Sequence, residues 1–269
     1  MTAQLTNLSI QIINYNSKKY LESCLDSLSK DLETANFSYT ISVLDNNSGE
    51  DLRDLQARHK SKQVKFYESD KNLGFAAGHN WLAGRQKSQS ILMLNPDVEF
   101  IQPQTIMRLL HRLQAQNNSK VVGPRLINAE GIQQLWDHGE ISGHKAYVAD
   151  KVNRSVWRER DKPAKVAWVS GAVFLIERAI FDQLGGFDEN FFMYGEEEEL
   201  CYRLRKSGRD VIYDPTITAL HHGGVATSKN DRYAYHKRSQ AYFIQKHAAK
   251  RFSYPLWRNL DKKINNRGE

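Results

Sequence analysis

Ser90-Ile-Leu-Met-Leu94 puts four large apolar side chains in a row, and Asn95-Pro96-Asp97 follows at once. A run this short and this apolar, closed by a polar turn, reads as a strand covered on both faces, as in a parallel sheet. The segments before it alternate between two periods. Leu8-Ser-Ile-Gln-Ile-Ile13 reads as a strand, and Leu21, Cys24, Leu25, Leu28 and Leu32 are spaced as one helical face. Tyr39 to Leu44 reads as a second strand, Asp51 to Lys60 as a helix, Val64 to Tyr67 as a short third strand, and Gly74 to Gln86 as a helix. Strand–helix alternation of this kind predicts an α/β fold around a mainly parallel central sheet flanked by helices.

Each strand ends in polar residues: Asn14-Tyr15-Asn16, then Asp45-Asn46-Asn47-Ser48, then Asn95-Pro96-Asp97. Open α/β sheets bind ligands beyond the carboxyl ends of their strands, so three such clusters predict one crevice. The second half is less regular. Leu109 to Gln116 reads as a helix, 121–165 as long loops with at most one hairpin, and Val166 to Ile176 as a buried strand or strand pair. Arg178 to Leu184 reads as a helix stopped by Gly185-Gly186, and Glu196 to Ser207 as another, stopped by Gly208. Asp210 to Tyr213 reads as a short strand that Asp214-Pro215 ends, and Tyr233 to Arg251 as a long helix.

Composition excludes several classes. Forty per cent hydrophobic and 26% charged residues over 269 positions describe a chain able to build a core. Cys24 and Cys201 are too few for a disulfide scaffold or a four-thiolate metal site, and both read as buried apolar side chains. No apolar run reaches the roughly 18 residues that a membrane span needs. The first twenty residues lack a basic start and an apolar core, so a cytoplasmic protein is expected. The net charge of +7 is uneven: residues 225–269 hold 11 Lys and Arg against 3 Asp and Glu, whereas residues 1–224 hold 27 against 28. The basic tail mixes Tyr235, Tyr242, Phe243, Phe252, Tyr254 and Trp257 with Lys237, Arg238, Lys246, Lys250 and Arg251, the composition of an interfacial helix. It is expected to meet an anionic membrane surface, on the inner face of the cell membrane, or else to pack as an ordinary helix. No nucleic-acid motif stands in the body, and nucleic acid is not an expected partner.

Five stretches in order give the chain a family resemblance: Ile13-Asn-Tyr-Asn-Ser17 with Tyr20-Leu21; Leu44-Asp-Asn-Asn-Ser48; Asn72-Leu-Gly-Phe-Ala-Ala-Gly-His-Asn80; Leu94-Asn-Pro-Asp-Val98; and a longer one. The longer one runs from Ser170-Gly171 through Leu184-Gly-Gly-Phe-Asp-Glu189, Phe191-Phe-Met-Tyr194, Glu196 to Glu199 and Arg203 to His221-His-Gly-Gly224. Together they resemble the inverting glycosyltransferases of family 2, which have the GT-A fold, and most of all their bacterial rhamnosyltransferase-like branch. The resemblance implies a GT-A domain over 1–224 and a basic helical extension over 225–269. It implies transfer of a hexosyl unit, with L-rhamnose from dTDP-rhamnose preferred over a UDP-sugar donor. The acceptor would be a glycan or a lipid-linked glycan precursor.

Residue chemistry supports these roles. Tyr15 can stack on a base, and Asp45 can accept from a pyrimidine N3–H; the resemblance gives both that task. Asn14, Asn16, Asn47 and Asn95, with Asn72, Gly74, Phe75 and Asn80, complete the expected donor-binding set. A departing diphosphate needs its charge neutralised, which a divalent cation does as a Lewis acid. Mg²⁺ or Mn²⁺ is the implied cofactor, with Asp97 and His221 as ligands and His222 as the neighbour that spacing does not distinguish. Inversion needs one base near the acceptor hydroxyl. Aligned on Leu200-Cys201, Glu197 falls at that position, with Glu196 and Glu199 as alternatives. Asp188, Trp168, Ser170 and Gly171 are the expected acceptor-binding residues. A nucleotidyltransferase would share the strand-end site, but it would need a basic, glycine-rich loop where Asn14-Tyr-Asn-Ser17 stands. A non-catalytic glycan or nucleic-acid binder with the same fold is the third reading.

Overall fold

The computed structural model describes residues 7–61, 63–143, 146, 148–149, 156–224 and 229–248. Its first half follows the alternating pattern. The elements are β1 (Asn7–Asn14), α1 (Lys18–Leu32), β2 (Ser38–Asp45), α2 (Arg53–Arg58), β3 (Val64–Glu68), α3 (Gly74–Ala83) and β4 (Ser90–Leu94). After them come β5 (Val98–Glu99), α4 (Thr105–Gln114), β6 (Ser119–Ile127), β7 (His138–Gly139), β8 (Ala164–Val166), β9 (Trp168–Val169) and β10 (Val173–Glu177). The chain continues through α5 (Arg178–Gln183), α6 (Glu196–Lys206), β11 (Asp210–His221) and α7 (Lys229–Ala248). Among the described residues nine strands form one sheet in the order β3-β2-β1-β4-β10-β6-β11-β5, with β8 on β11; β7 and β9 pair separately. β3, β2, β1 and β4 are parallel. β10 runs antiparallel to β4 and β6, and β11 runs parallel to β6. The sheet is therefore mixed beyond β4.

β4 explains why its sequence has no polar face. Leu92 and Leu94 join the core under α1, α2 and α4, while Ile91 and Met93 join the core under α3, α5 and α6. Both cysteines are free and buried, Cys24 in the first core and Cys201 in the second.

Two stretches differ from expectation. The region read as long loops contains β6, nine residues long. Gly123-Pro124 disguises it: a side chain at Gly123 would come within 2.6 Å of the Val169 Cβ, so β9 can cross only there. The strand expected to stop at Tyr213 runs on to His221. Its pairing with β6 shifts between Asp214 and Thr218, so Pro215 sits in a bulge where no ladder donor is required. Asp214 is buried and accepts from Arg112 Nε at 2.6 Å, which fixes the bulge. α4 also begins earlier than its apolar spacing indicates. The Asp31 carboxylate accepts from the amides of Thr105 (2.6 Å) and Ile106 (3.0 Å), capping the helix from α1.

α7 packs on the α/β body. Phe243 and Ser239 are buried, Phe191 meets Tyr242 edge-on, and Tyr194 stacks on His236. Tail residues Lys250, Arg251, Phe252, Tyr254 and Trp257 lie outside the described residues. No helix among the described residues is long and apolar enough to cross a membrane.

Candidate active site

The carboxyl ends of β1, β2 and β4 and the start of α6 surround a cavity of about 1020 Å³. Of the residues expected from sequence, Tyr15, Asn72, Gly74, Phe75, Asn95, Asp97, Trp168, Ser170, Gly171, Glu196, Glu197 and His221 line it. Asn14, Asn16, Asp45, Asn47, Asn80, Asp188 and Glu199 do not. Asp45 is a turn anchor, accepting from Asn14 Nδ2 (3.0 Å) and the Ser48 amide (3.3 Å). Asn16 and Asn47 turn the chain with φ of 52° and 62°, a conformation that asparagine tolerates. Asn80 pins α3 to the loop before α6 by donating to the Phe187 carbonyl (2.9 Å) and accepting from its amide (3.0 Å).

The long β11 makes the acidic corner. Leu220 pairs with Glu99 and His221 with Val98, which sets His221 beside Asp97. Asp97 is 3% exposed; one oxygen accepts from the Gly223 amide (2.9 Å) and the other stands 3.4 Å from His221 Nε2. Burial pushes its carboxyl up, but His221 and the Gly223 amide outweigh this and hold it below the usual range. His222 also lines the cavity, but its Nε2 is taken by Glu99 at 2.9 Å.

Buried Gln134 decides the His221 tautomer. Its Nε2 donates to the His221 carbonyl oxygen at 2.7 Å, so its Oε1 must face Nδ1, at 2.8 Å. Nδ1 therefore carries a proton in either charge state; in the neutral ring the Nε2 lone pair accepts from Asn95 Nδ2 at 3.2 Å, beside Asp97, and only the protonated ring donates from Nε2 to that carboxylate. An imidazole nitrogen fixed from behind and a carboxylate oxygen beside it suit Mn²⁺ or Mg²⁺. Among the described residues no cluster of three or more metal-ligating side chains occurs, so the protein would supply two ligands. A diphosphate and water would complete the shell, as these cations usually allow.

The four glutamates of α6 meet four environments because successive helical residues turn by about 100°. Tyr194 (φ 67°) and Gly195 (φ 86°) make the tight turn that aims them. Glu196 is buried, and one of its oxygens has no partner; burial and the neighbouring Glu197 charge push its carboxyl well up. Burial also raises Glu197, partly offset by backbone amides including that of Gly171, and one of its oxygens likewise has no partner. Burial lifts Glu198 to about 7, against the Gly143 amide that donates to it at 2.7 Å. Glu199 goes the other way. Burial raises it, but His247, Lys246 and Arg203 together hold it below the ordinary range.

Asn46, His79 and Gln134 are among the lining residues not singled out from sequence. Asn46 donates to Asn72 Oδ1 (2.9 Å) and accepts from the Leu73 amide (2.9 Å), tying the end of β2 to the loop before α3. His79 is fully buried under Phe75, and burial drives it down to about 3, so it is neutral. Gln134 is the third. Asn46 stood inside a cluster already noted, whereas Gln134 lies in the stretch with no readable period.

A family model for glycosyl transferase family 2 matches residues 9–185. An N-acetylglucosaminyl-diphospho-decaprenol L-rhamnosyltransferase of Mycobacterium tuberculosis is 27% identical over 267 residues, 90% of this chain and 85% of that one. A low-salt glycan biosynthesis hexosyltransferase of Haloferax volcanii is 27% identical over 231 residues, 82% of this chain and 69% of that one. Among solved structures, GalNAc-T7 with UDP, GalNAc and Mn²⁺ superposes with a TM-score of 0.68 at 16% identity, covering 90% of this chain and 48% of that chain. The mannosyltransferase PcManGT of Pyrobaculum calidifontis, with GDP-Man and Mn²⁺, gives 0.65 at 14% identity, covering 94% and 67%. These likenesses carry the GT-A fold.

Proposed function

The chain belongs to glycosyl transferase family 2 and is a glycosyltransferase; from that premise we propose a metal-dependent, inverting transfer of a hexosyl unit from a nucleotide sugar to a glycan hydroxyl. The observation that carries this reading is the single cavity in which Tyr15, the Asp97–His221 pair and the unpartnered glutamates face one another. Tyr15 stacks on the base. Asp97 and His221 hold the cation, which when bound supplies the positive charge that a leaving diphosphate requires. Gly74 lines the donor cavity, and its φ of 77° and the Phe192 carbonyl against its missing side chain admit only glycine there.

Glu197 takes the proton from the acceptor hydroxyl as that oxygen attacks the anomeric carbon and the diphosphate leaves from the opposite face. Its raised proton affinity suits it to accept a proton. L-rhamnose from dTDP-rhamnose is the favoured donor, because the Mycobacterium tuberculosis relative is named a rhamnosyltransferase. That relative's diphospho-decaprenol substrate supports a lipid-linked acceptor. The exposed Lys237 and Arg238 of α7 support contact with an anionic membrane surface.

Thermal unfolding with dTDP, UDP or GDP, each with and without Mn²⁺, tests the donor reading, because a ligand bound to the native state raises the melting temperature. A pyrimidine nucleotide should stabilise the protein more with Mn²⁺ than without. No stabilisation by any nucleotide with Mn²⁺ would overturn the proposal.

A further inference from the structure

A second cavity, of about 750 Å³, lies against α7. It shares Leu135, Trp168, Tyr194, Glu197, Tyr233 and His236 with the first cavity, so the two chambers adjoin along these residues. Its other lining groups include Trp157 and Phe243, which offer flat apolar faces, and Glu198 and Gln240, which offer hydrogen-bonding groups. Flat rings beside a few polar groups suit a pyranose, with its apolar C–H faces and equatorial hydroxyls.

What holds α7 in place has a direct bearing on this cavity. Lys246 Nζ bridges Asp188 Oδ2 (2.6 Å) and Glu199 Oε1 (2.7 Å). His247 shares Glu199 at 3.0 Å, and the Tyr242 hydroxyl donates to Asp188 at 3.0 Å. Burial opposes the charge on Asp188, yet Lys246, Asn190 and Tyr242 hold its carboxyl well below the ordinary range. Both carboxylates are therefore committed to the helix, outside either cavity.

We propose that the second cavity is the acceptor site, taking a pyranoside, and that Asp188 and Glu199 act through Lys246 to position α7 as its wall. This rests on the glycosyltransfer reading and deepens it. The donor would occupy the first chamber and the acceptor sugar the second, with Glu197 reached from both. Asp188 and Glu199 are then positioning residues, one step removed from the substrate.

The test uses the full chain labelled with 5-fluorotryptophan, with octyl β-D-glucopyranoside as probe below its micellar concentration. Fluorine NMR resonances of Trp157 and Trp168, assigned by single Trp→Phe variants, should shift on titration. Gln240→Phe fills the second cavity from a residue that does not line the first, and should weaken the probe roughly tenfold or more, the range one misplaced pocket group commands. Lys246→Met should weaken it similarly, and Lys246→Arg should restore it. Nucleotide binding with Mn²⁺ should be unchanged in all three variants. No shift of either tryptophan in the wild type, or equal probe affinity in Gln240→Phe, would overturn the acceptor assignment. Unchanged affinity in Lys246→Met would overturn the positioning role. Failure of the wild type to bind nucleotide with Mn²⁺ would instead strike the donor reading.

Discussion

Replacing Glu198 by glutamine should make the protein more stable at pH 8 while changing little at pH 5. Burial lifts the Glu198 carboxyl from 4.5 to about 7. Its folded form therefore holds a proton that the unfolded chain has released across that window. Native protein binding more protons means that stability falls as pH rises, and the loss is complete above the folded value. A shift of this size at about 1.4 kcal/mol per unit gives about 3 kcal/mol, reduced towards 2 because Glu198 faces a cavity that water reaches. Glutamine keeps an oxygen for the Gly143 amide, now 2.7 Å from Glu198 Oε1, and carries no charge to desolvate. For a chain of this size, 2 to 3 kcal/mol corresponds to roughly 4 to 12 °C in melting temperature. Urea unfolding of both proteins at pH 5, 6, 7 and 8 measures it. The two should agree at pH 5 and diverge steadily above it, with the variant the more stable. Parallel pH dependences, or a variant less stable than wild type at pH 8, would refute the reasoning.

Other consequences concern the site itself. Gln134→Leu should lower Mn²⁺ affinity by about 10- to 100-fold, the usual cost of losing a group that orients a ligating histidine, while metal-free nucleotide binding stays the same. Electron paramagnetic resonance of free Mn²⁺ reads this directly, and an unchanged affinity would remove Gln134 from the account. Transfer should rise with pH along an acid limb set by the raised Glu196–Glu197 pair, because the base acts only when ionised. The Glu197 charge raises Glu196 further, so Glu196 is still protonated as Glu197 ionises; Glu196→Gln should therefore leave that limb in place in initial-rate measurements, and a limb that moves to lower pH argues against Glu197 as the titrating group. Gly74→Ala places a side chain at φ 77° against the Phe192 carbonyl and should cost roughly 1–3 kcal/mol or more in chemical unfolding. Wild-type stability in that variant would contradict the close approach.

Much of this was legible in the sequence wherever a period or a strand end spoke for itself. β4 could be placed because its four apolar residues serve two cores at once, and the polar clusters after β1, β2 and β4 marked the edge where the cavity opens. Where the sequence misled, tertiary contacts were the cause. Pro124 and Pro215 look like strand breakers, yet Pro124 pairs with Asp214 at the edge of one bulge and Pro215 sits inside it, and β11 runs on past that bulge to His221. Asp188 and Glu199 carry motif positions that resemble substrate ligands. Lys246, 58 and 47 residues further along, takes both, and no local pattern announces a salt bridge at that separation. The tail shows the same limit. Its cations and aromatics have the composition of an interfacial helix, but Lys246, Tyr242 and Phe243 are spent on the body.

The central claim is that Glu197 is the base for transfer between the two chambers. Its most direct test is Glu197→Gln, with donor binding followed by calorimetry in the presence of Mn²⁺ and transfer followed by product formation in the same preparation. Donor affinity should stay within about twofold of wild type, and the rate should fall by roughly 10²–10⁴-fold, the contribution of a placed base. Near-normal turnover in that variant would contradict the claim.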